Sequence, residues 1–243
     1  MKIKIIVPIT TREFEERVRI EVKELASKGT YIEAECLEHG TDSIESMYDE
    51  MLCAPGIIKL AEKAQDEGFE GVIINCMGDP ALDAVRERLD IPVVGPGRTS
   101  MLYAADLAHR FSIVTVLENV VVIAEKLAAE AGLASKMASV RYIKIPVLKL
   151  KNKKLTAKAL VGESLAAIEE DGAHAIVIGC TGMRSVAKDV AINLKEKGWR
   201  IPVIDPLAIS VRHLETLISL RLMQSKRTYM APQEKTRNIL ERI

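Results

Sequence analysis

Two stretches decide the fold: GFEGVIINCMGDPALDAV, Gly68 to Val85, and GAHAIVIGCTGMRSVAKDV, Gly172 to Val190. Each runs from a glycine through a short β-branched apolar segment into a cysteine, then small residues, then a pattern of helical period. The first is followed by IPVVGP, Ile91 to Pro96, and the second by IPVIDP, Ile201 to Pro206. A unit that recurs with this fidelity is a duplication. The opening strands extend it, with KIIVPIT from Lys4 answering FSIVTVL from Phe111.

Outward from these stretches, apolar runs alternate with helix-period segments. Strands are predicted at Lys2–Pro8, Tyr31–Leu37, Gly71–Asn75, Val93–Val94, Phe111–Val116, Ser139–Ile145, Ala175–Gly179 and Val203–Ile204. Helices are predicted over Phe14–Lys28, Ser43–Asp66, Ala81–Leu89, Asn119–Ala131, Ala157–Glu170 and Arg184–Lys197. Strict β-α-β-α alternation predicts an α/β fold: two duplicated flavodoxin-like domains, each a doubly wound parallel sheet, related by a pseudo-two-fold. The expected division is 1–96 plus 207–243 for the first domain and 97–206 for the second. In such sheets ligands bind beyond the carboxyl ends of the strands, so the active site is expected in the cleft between the two domains.

Composition narrows the class. The 243 residues carry 34 basic and 34 acidic side chains, with 4% aromatics. No basic block or aromatic platform suits a nucleic acid, and no apolar stretch is long enough to span a membrane. The opening MKIKIIVPIT reads as a strand rather than a signal peptide. Four cysteines (Cys36, Cys53, Cys76, Cys180) without a secretion signal point to reduced thiols in the cytoplasm. No ligand spacing suggests a metal site. The basic run Lys149 to Lys154 reads as a solvated loop, and Ser225–Ile243 as a polar tail or a helix packed on a partner subunit.

Cys76 and Cys180 end a buried strand in each repeat. Asp79-Pro80 reads as a helix cap followed by proline at the first helical position, and a helix N-terminus favours a thiolate. Gly78, Gly179 and Gly182 leave room for a ligand to approach backbone. Thr10 and Thr115 fall at or just after each half's first strand. Cys36, on an alternating strand, and Cys53, on a helix, read as packing residues.

Two equivalent thiols suit one kind of chemistry. Removing a proton from a stereocentre leaves a planar carbanion, and returning one from the other face needs a base and an acid on opposite sides. Thiols titrate near neutral pH, so one can be thiolate while the other is protonated. The two sulfur atoms are then expected across the cleft, too far apart for a disulfide.

On these motifs the chain resembles the hydantoin racemase branch of the aspartate/glutamate/hydantoin racemase superfamily. The resemblance rests on Cys76 to Pro80, Pro92 to Gly95, Phe111 to Thr115, Gly179 to Met183 and Pro202 to Pro206, with a weaker match from Tyr48 to Gly56. It implies cofactor-independent racemisation of 5-substituted hydantoins or allantoin, with Cys76 and Cys180 as the two bases. It implies substrate contacts from Thr10, Met77, Gly78, Asp79, Thr115, Thr181 and Gly182, no metal, a small-molecule substrate and a homo-oligomer. The family's first strand usually ends Asn-Pro-Asn-Thr, where this chain has Val7-Pro8-Ile9-Thr10. Arg98 stands where the family begins a helix with Glu-Ala, and reads as a solvated helix-start residue. Two further readings share the scaffold: an amino-acid racemase or maleate-type isomerase, and a non-catalytic binding protein with a degenerate cleft.

Overall fold

The computed structural model describes residues 1–236. Eight strands run in chain order: β1 Lys2–Val7, β2 Tyr31–Cys36, β3 Gly71–Ile74, β4 Val93–Val94, β5 Phe111–Thr115, β6 Met137–Tyr142, β7 Ala175–Ile178 and β8 Val203–Ile204. They form two four-stranded sheets of the same order, β2-β1-β3-β4 and β6-β5-β7-β8, with every pairing parallel. The chain divides into two compact units, Met1–Gly95 with the chain from Ser210, and Pro96–Ile209. The sequence had put these boundaries after residues 96 and 206.

The helices are α1 Arg12–Glu21, α2 Met47–Asp66, α3 Leu82–Arg88, α4 Pro96–Leu107, α5 Val121–Glu130, α6 Lys153–Glu169, α7 Arg184–Glu196 and α8 Pro206–Ser219. The central strands β1, β3, β5 and β7 are buried almost throughout, as continuous apolar runs covered on both faces must be. In the first unit, α2 presents Cys53, Ile57, Leu60, Ala61 and Ala64 to Ile6, Val72 and Ile74 of the sheet. That spacing is one helical face. Ser46 caps α2 by accepting the Asp49 N–H at 3.1 Å, and Asn152 caps α6 by accepting the Leu155 N–H at 3.2 Å.

Several expectations shift. Helices α4 and α8 were not among the six predicted. Both open on proline at the first turn, where its fixed φ suits a helix. Strand β6 begins two residues earlier than predicted and ends three earlier. Arg98 is half-buried near the start of α4 with its Nε shielded from solvent, so it is not a solvated arginine. The lysines between 149 and 154 are exposed as expected, but the run spans a 3-10 turn and the first turn of α6, anchored by buried Leu150. Residues 225–236 form no helix, and the rest of that terminal segment lies outside the described residues.

The strand register corrects the repeat itself. Ile3 pairs with Gly71 as Phe111 pairs with Ala175. Lys4 therefore answers Ser112, one position off the alignment read from sequence. A slip of one residue turns each side chain to the other face. The true counterpart of Thr115 is Val7, and Thr10 lies three residues beyond the end of β1.

At that shared position the halves differ sharply. Lys4 is 0% exposed. Its Nζ donates to Glu33 at 2.6 Å and also to Glu35, both on neighbouring β2. In the second half Ser112 and Ser139, at the same cross-strand position, share a 2.8 Å hydroxyl bond. Burial pushes the Lys4 ammonium down, but its bonds to Glu33 and Glu35 outweigh this and hold it above the ordinary lysine value. Lys4 pulls Glu33 below the usual carboxylate range. It does the same to Glu35 against the upward push of burial.

The chain after α8 straps the first unit. The Gln224 amide donates to the carbonyls of Leu89 and Ile91, and its oxygen accepts the Val93 N–H of edge strand β4. Lys226 donates to the Arg86 and Glu87 carbonyls in the last turn of α3. These side chains satisfy backbone groups that a helix end and a sheet edge leave open.

The lysine site makes a clear prediction. Replacing both Glu33 and Glu35 by glutamine strands a buried ammonium and should cost about 2–3 kcal/mol in urea unfolding, whereas Lys4→Met should cost less than about 1 kcal/mol. The carboxylates have lowered folded values, so their contribution is present above their ordinary value of 4.5 and lost as pH falls through the folded values. The lysine's contribution, from a raised value, is full below 10.5 and lost only on strong alkalisation. The acid limb of the stability profile should therefore flatten in Lys4→Met.

Candidate active site

Each sheet ends its central pair in the same way. The Asn75 N–H donates to the Ile6 carbonyl at 2.8 Å, and the Gly179 N–H to the Val114 carbonyl at 2.8 Å. One residue later come Cys76 and Cys180. Burial then changes in step. The strands are buried, while Cys76-Met77-Gly78 and Cys180-Thr181-Gly182 are half-exposed, and Asp79 and Met183 are buried again. The six sequence-derived site residues other than Asp79, Thr10 and Thr115 thus lie in two matching open triplets, one per unit.

Beyond the cysteines the halves part. Cys180, extended at φ −155°, immediately precedes a 3-10 turn, Thr181–Met183, that runs straight into α7. This is the strand-to-helix arrangement expected for both. Cys76 has no such helix beside it. A turn follows, with the Asp79 N–H donating to the Cys76 carbonyl at 3.2 Å, and α3 begins only at Leu82. Asp79 has φ +50° and Ala81 φ +57°. The expectation that Asp79-Pro80 opens the helix is therefore wrong: the residue before α3 is Ala81, with no side-chain cap. The Asp79 carboxyl is turned elsewhere, against Gly95, where a Cβ would come within 2.4 Å of its Cγ.

The two threonines also differ. Thr115 is 1% exposed, and its hydroxyl donates to the Gly179 carbonyl at 3.1 Å, tying the first strand of its half to the residue before Cys180. A Cβ at Gly179 would stand 2.7 Å from the Thr115 Cα, so only glycine allows this approach. Thr10 is half-buried. Its N–H and hydroxyl both donate to the Thr41 carbonyl, at 2.9 and 3.2 Å.

Sequence reading passed over Arg184, which meets a carboxylate. Arg184 Nε lies 3.4 Å from Asp205 Oδ2, and Asp205 Oδ1 accepts the N–H groups of Leu207 and Ala208, capping α8. The signal was available: position 205 is aspartate where its repeat partner, position 95, is glycine.

The other cysteines have different surroundings, and all four are free thiols. Cys36 is buried on β2, its Sγ 3.5 Å from the Thr11 carbonyl. Burial, reinforced by Glu15, pushes its thiol up to about 11. Cys53 is fully buried in α2, 3.4 Å from the Thr41 hydroxyl. Among the described residues no group of three His, Cys, Asp or Glu side chains could hold a metal ion, and no helix is long and apolar enough to cross a membrane.

Known proteins share this fold. A family model described as Asp/Glu/Hydantoin racemase matches residues 3–214. The chain is 38% identical over 237 residues to a hydantoin racemase of Pseudomonas sp. (strain NS671), covering 97% of this chain and 93% of that protein. It is 33% identical over 238 residues to one from Paenarthrobacter aurescens, covering 97% and 99%. The solved structure of allantoin racemase from Klebsiella pneumoniae matches with a TM-score of 0.90 at 34% identity, over 97% of this chain and 95% of that one. Fold and relatives together define an isomerase of the racemase class. The chain belongs to the Asp/Glu/hydantoin racemase family.

The thiol environments order the cysteines by reactivity. Under limiting iodoacetamide at pH 8, peptide mapping should find Cys76 and Cys180 alkylated first. Cys36 and Cys53 should react only after denaturation, since burial hides both and Cys36 stays protonated.

Proposed function

We propose that this chain racemises 5-substituted hydantoins or allantoin without a cofactor, using Cys76 and Cys180 as a paired base and acid. The observation that carries the reading is the equivalence of the two thiols. Each stands one residue past the last ladder bond of its central strand pair, at the head of a half-exposed triplet. The curated relatives that match nearly the whole chain are hydantoin racemases, and the solved relative is an allantoin racemase.

In a hydantoin ring the C5 proton is acidic because the adjacent carbonyl takes up the charge as an enolate. A thiolate on one face removes that proton and becomes a thiol. The opposite thiol then protonates the planar carbon from the other side and becomes the thiolate, so the pair ends reversed and inverts the centre. Backbone N–H groups of Met77, Gly78, Thr181 and Gly182 can meet the ring carbonyls and the developing oxyanion. Thr10, Asp79 and Thr115 support the substrate or the loops that hold it. Thr115 already spends its proton on Gly179, so toward a ligand it offers only lone pairs. Free thiols suit a reducing compartment, and the enzyme is assigned to the cytoplasm as a homo-oligomer.

The test is exchange in deuterated water. A single enantiomer of a 5-substituted hydantoin or of allantoin should lose optical rotation while product of inverted configuration gains deuterium at the stereocentre. Cys76→Ser and Cys180→Ser should each slow racemisation by at least about a hundredfold. Full activity in either variant would end the two-thiol mechanism. Exchange on free amino acids alone would move the substrate class, and no exchange across the panel would favour the binding-protein reading.

A further inference from the structure

The two halves hold their cysteines by different means, and the difference centres on one volume. In the second half, position 205 follows β8 and carries an aspartate that caps α8 and meets Arg184. In the first half the equivalent position, after β4, is Gly95, which has no side chain. The space beside it is filled. A Cβ built on Gly95 would stand 2.4 Å from Asp79 Cγ and 2.6 Å from each carboxylate oxygen. Asp79 is 5% exposed. Its equivalent in the other half, Met183, is buried and already leads into α7. A carboxylate thus lies beside the end of the fourth strand in both halves, supplied from the strand end in one and from the cysteine loop in the other.

Asp79 reaches that place at a conformational cost. Its φ of +50° is uncommon for a residue with a Cβ, and Ala81 two residues later sits at +57°. Strained backbone of this kind persists only where surrounding contacts over-determine it. Contacts of this kind include the Asp79 N–H on the Cys76 carbonyl, the Leu82 N–H on the Asp79 carbonyl, and the carboxylate wedged against Gly95. The same short turn carries Cys76, which lacks the helix start that follows Cys180.

We infer that Asp79 is a positioning residue for Cys76: wedged into the space left by Gly95, its side chain locks the left-handed turn that aims the Cys76 thiol. The inference rests on the reading of Cys76 as a reacting thiol but does not depend on which substrate it meets. Asp79 and Gly95 form one steric unit, so each demands the other. Asparagine, which tolerates the left-handed region and has nearly the same shape, satisfies the turn. Alanine at 79 removes the wedge, and aspartate at 95 collides with it.

The test reads thiol reactivity rather than turnover, which separates its failure from failure of the racemase reading. Alkylation rates of Cys76 and Cys180 are measured in the same molecules by peptide mass mapping, with Cys180 as internal control. Asp79→Ala and Gly95→Asp should each change the Cys76 rate at least fivefold and leave Cys180 within twofold. Asp79→Asn should keep Cys76 within twofold of the parent. The double variant Asp79→Gly with Gly95→Asp, which moves the carboxylate to the strand end and places glycine at the left-handed position, should reverse at least half of the change seen with Gly95→Asp. If Gly95→Asp fails to fold, Asp79→Ala against Asp79→Asn decides alone. A Cys76 rate unchanged in Asp79→Ala, an equal change at Cys180, or an Asp79→Asn variant as perturbed as the alanine would overturn the inference.

Discussion

Each cysteine is placed by a backbone hydrogen bond that continues a parallel ladder one step beyond the strand. Asn75 gives its N–H to Ile6, and Gly179 gives its N–H to Val114. These bonds set the distance between the rigid sheet and the thiol at a single residue. They also explain how buried, β-branched strands fix where each of these cysteines stands. A slip in the β1–β3 or β5–β7 register would carry the cysteine away from the open end of its sheet, and burial on both faces leaves no alternative register.

From that point the halves solve one problem twice. In the second, the chain turns directly from Cys180 into a helical run, and Thr115 ties the preceding glycine to its neighbour strand. In the first, a turn with left-handed residues intervenes, and a buried carboxylate from within it meets the end of β4. Equivalent thiols on unequal supports give each cysteine its own local surroundings at the same place in its sheet.

Much of this was legible beforehand. The repeated Gly-strand-Cys unit carried the duplicated α/β architecture and the location of both thiols, because β-branched runs and glycine punctuation are local signals. What escaped depended on neighbours in space. The offset between Lys4 and Ser112 could not be seen in two apolar strands that align almost equally well one residue apart. Asp79 followed by proline has the local signature of a helix start. Only the empty place beside Gly95, distant in sequence, takes its carboxylate away. Lys4 likewise looks like a surface lysine until β2 brings Glu33 and Glu35 alongside.

That lysine has a consequence for a chain built from two similar halves. Duplicated sheets can trade strands while the chain folds, since β1 and β5 have the same length class, direction and apolar character. The position where Lys4 meets Glu33 is the position where Ser112 meets Ser139. A β1 that settled against β6 would bury an ammonium opposite a serine, and a β5 set against β2 would leave two glutamates facing a hydroxyl. Both exchanges desolvate charge without a counter-charge, and neither native pairing does. The ion pair therefore works as a key that only one lock accepts, keeping each half's strands with their own partners.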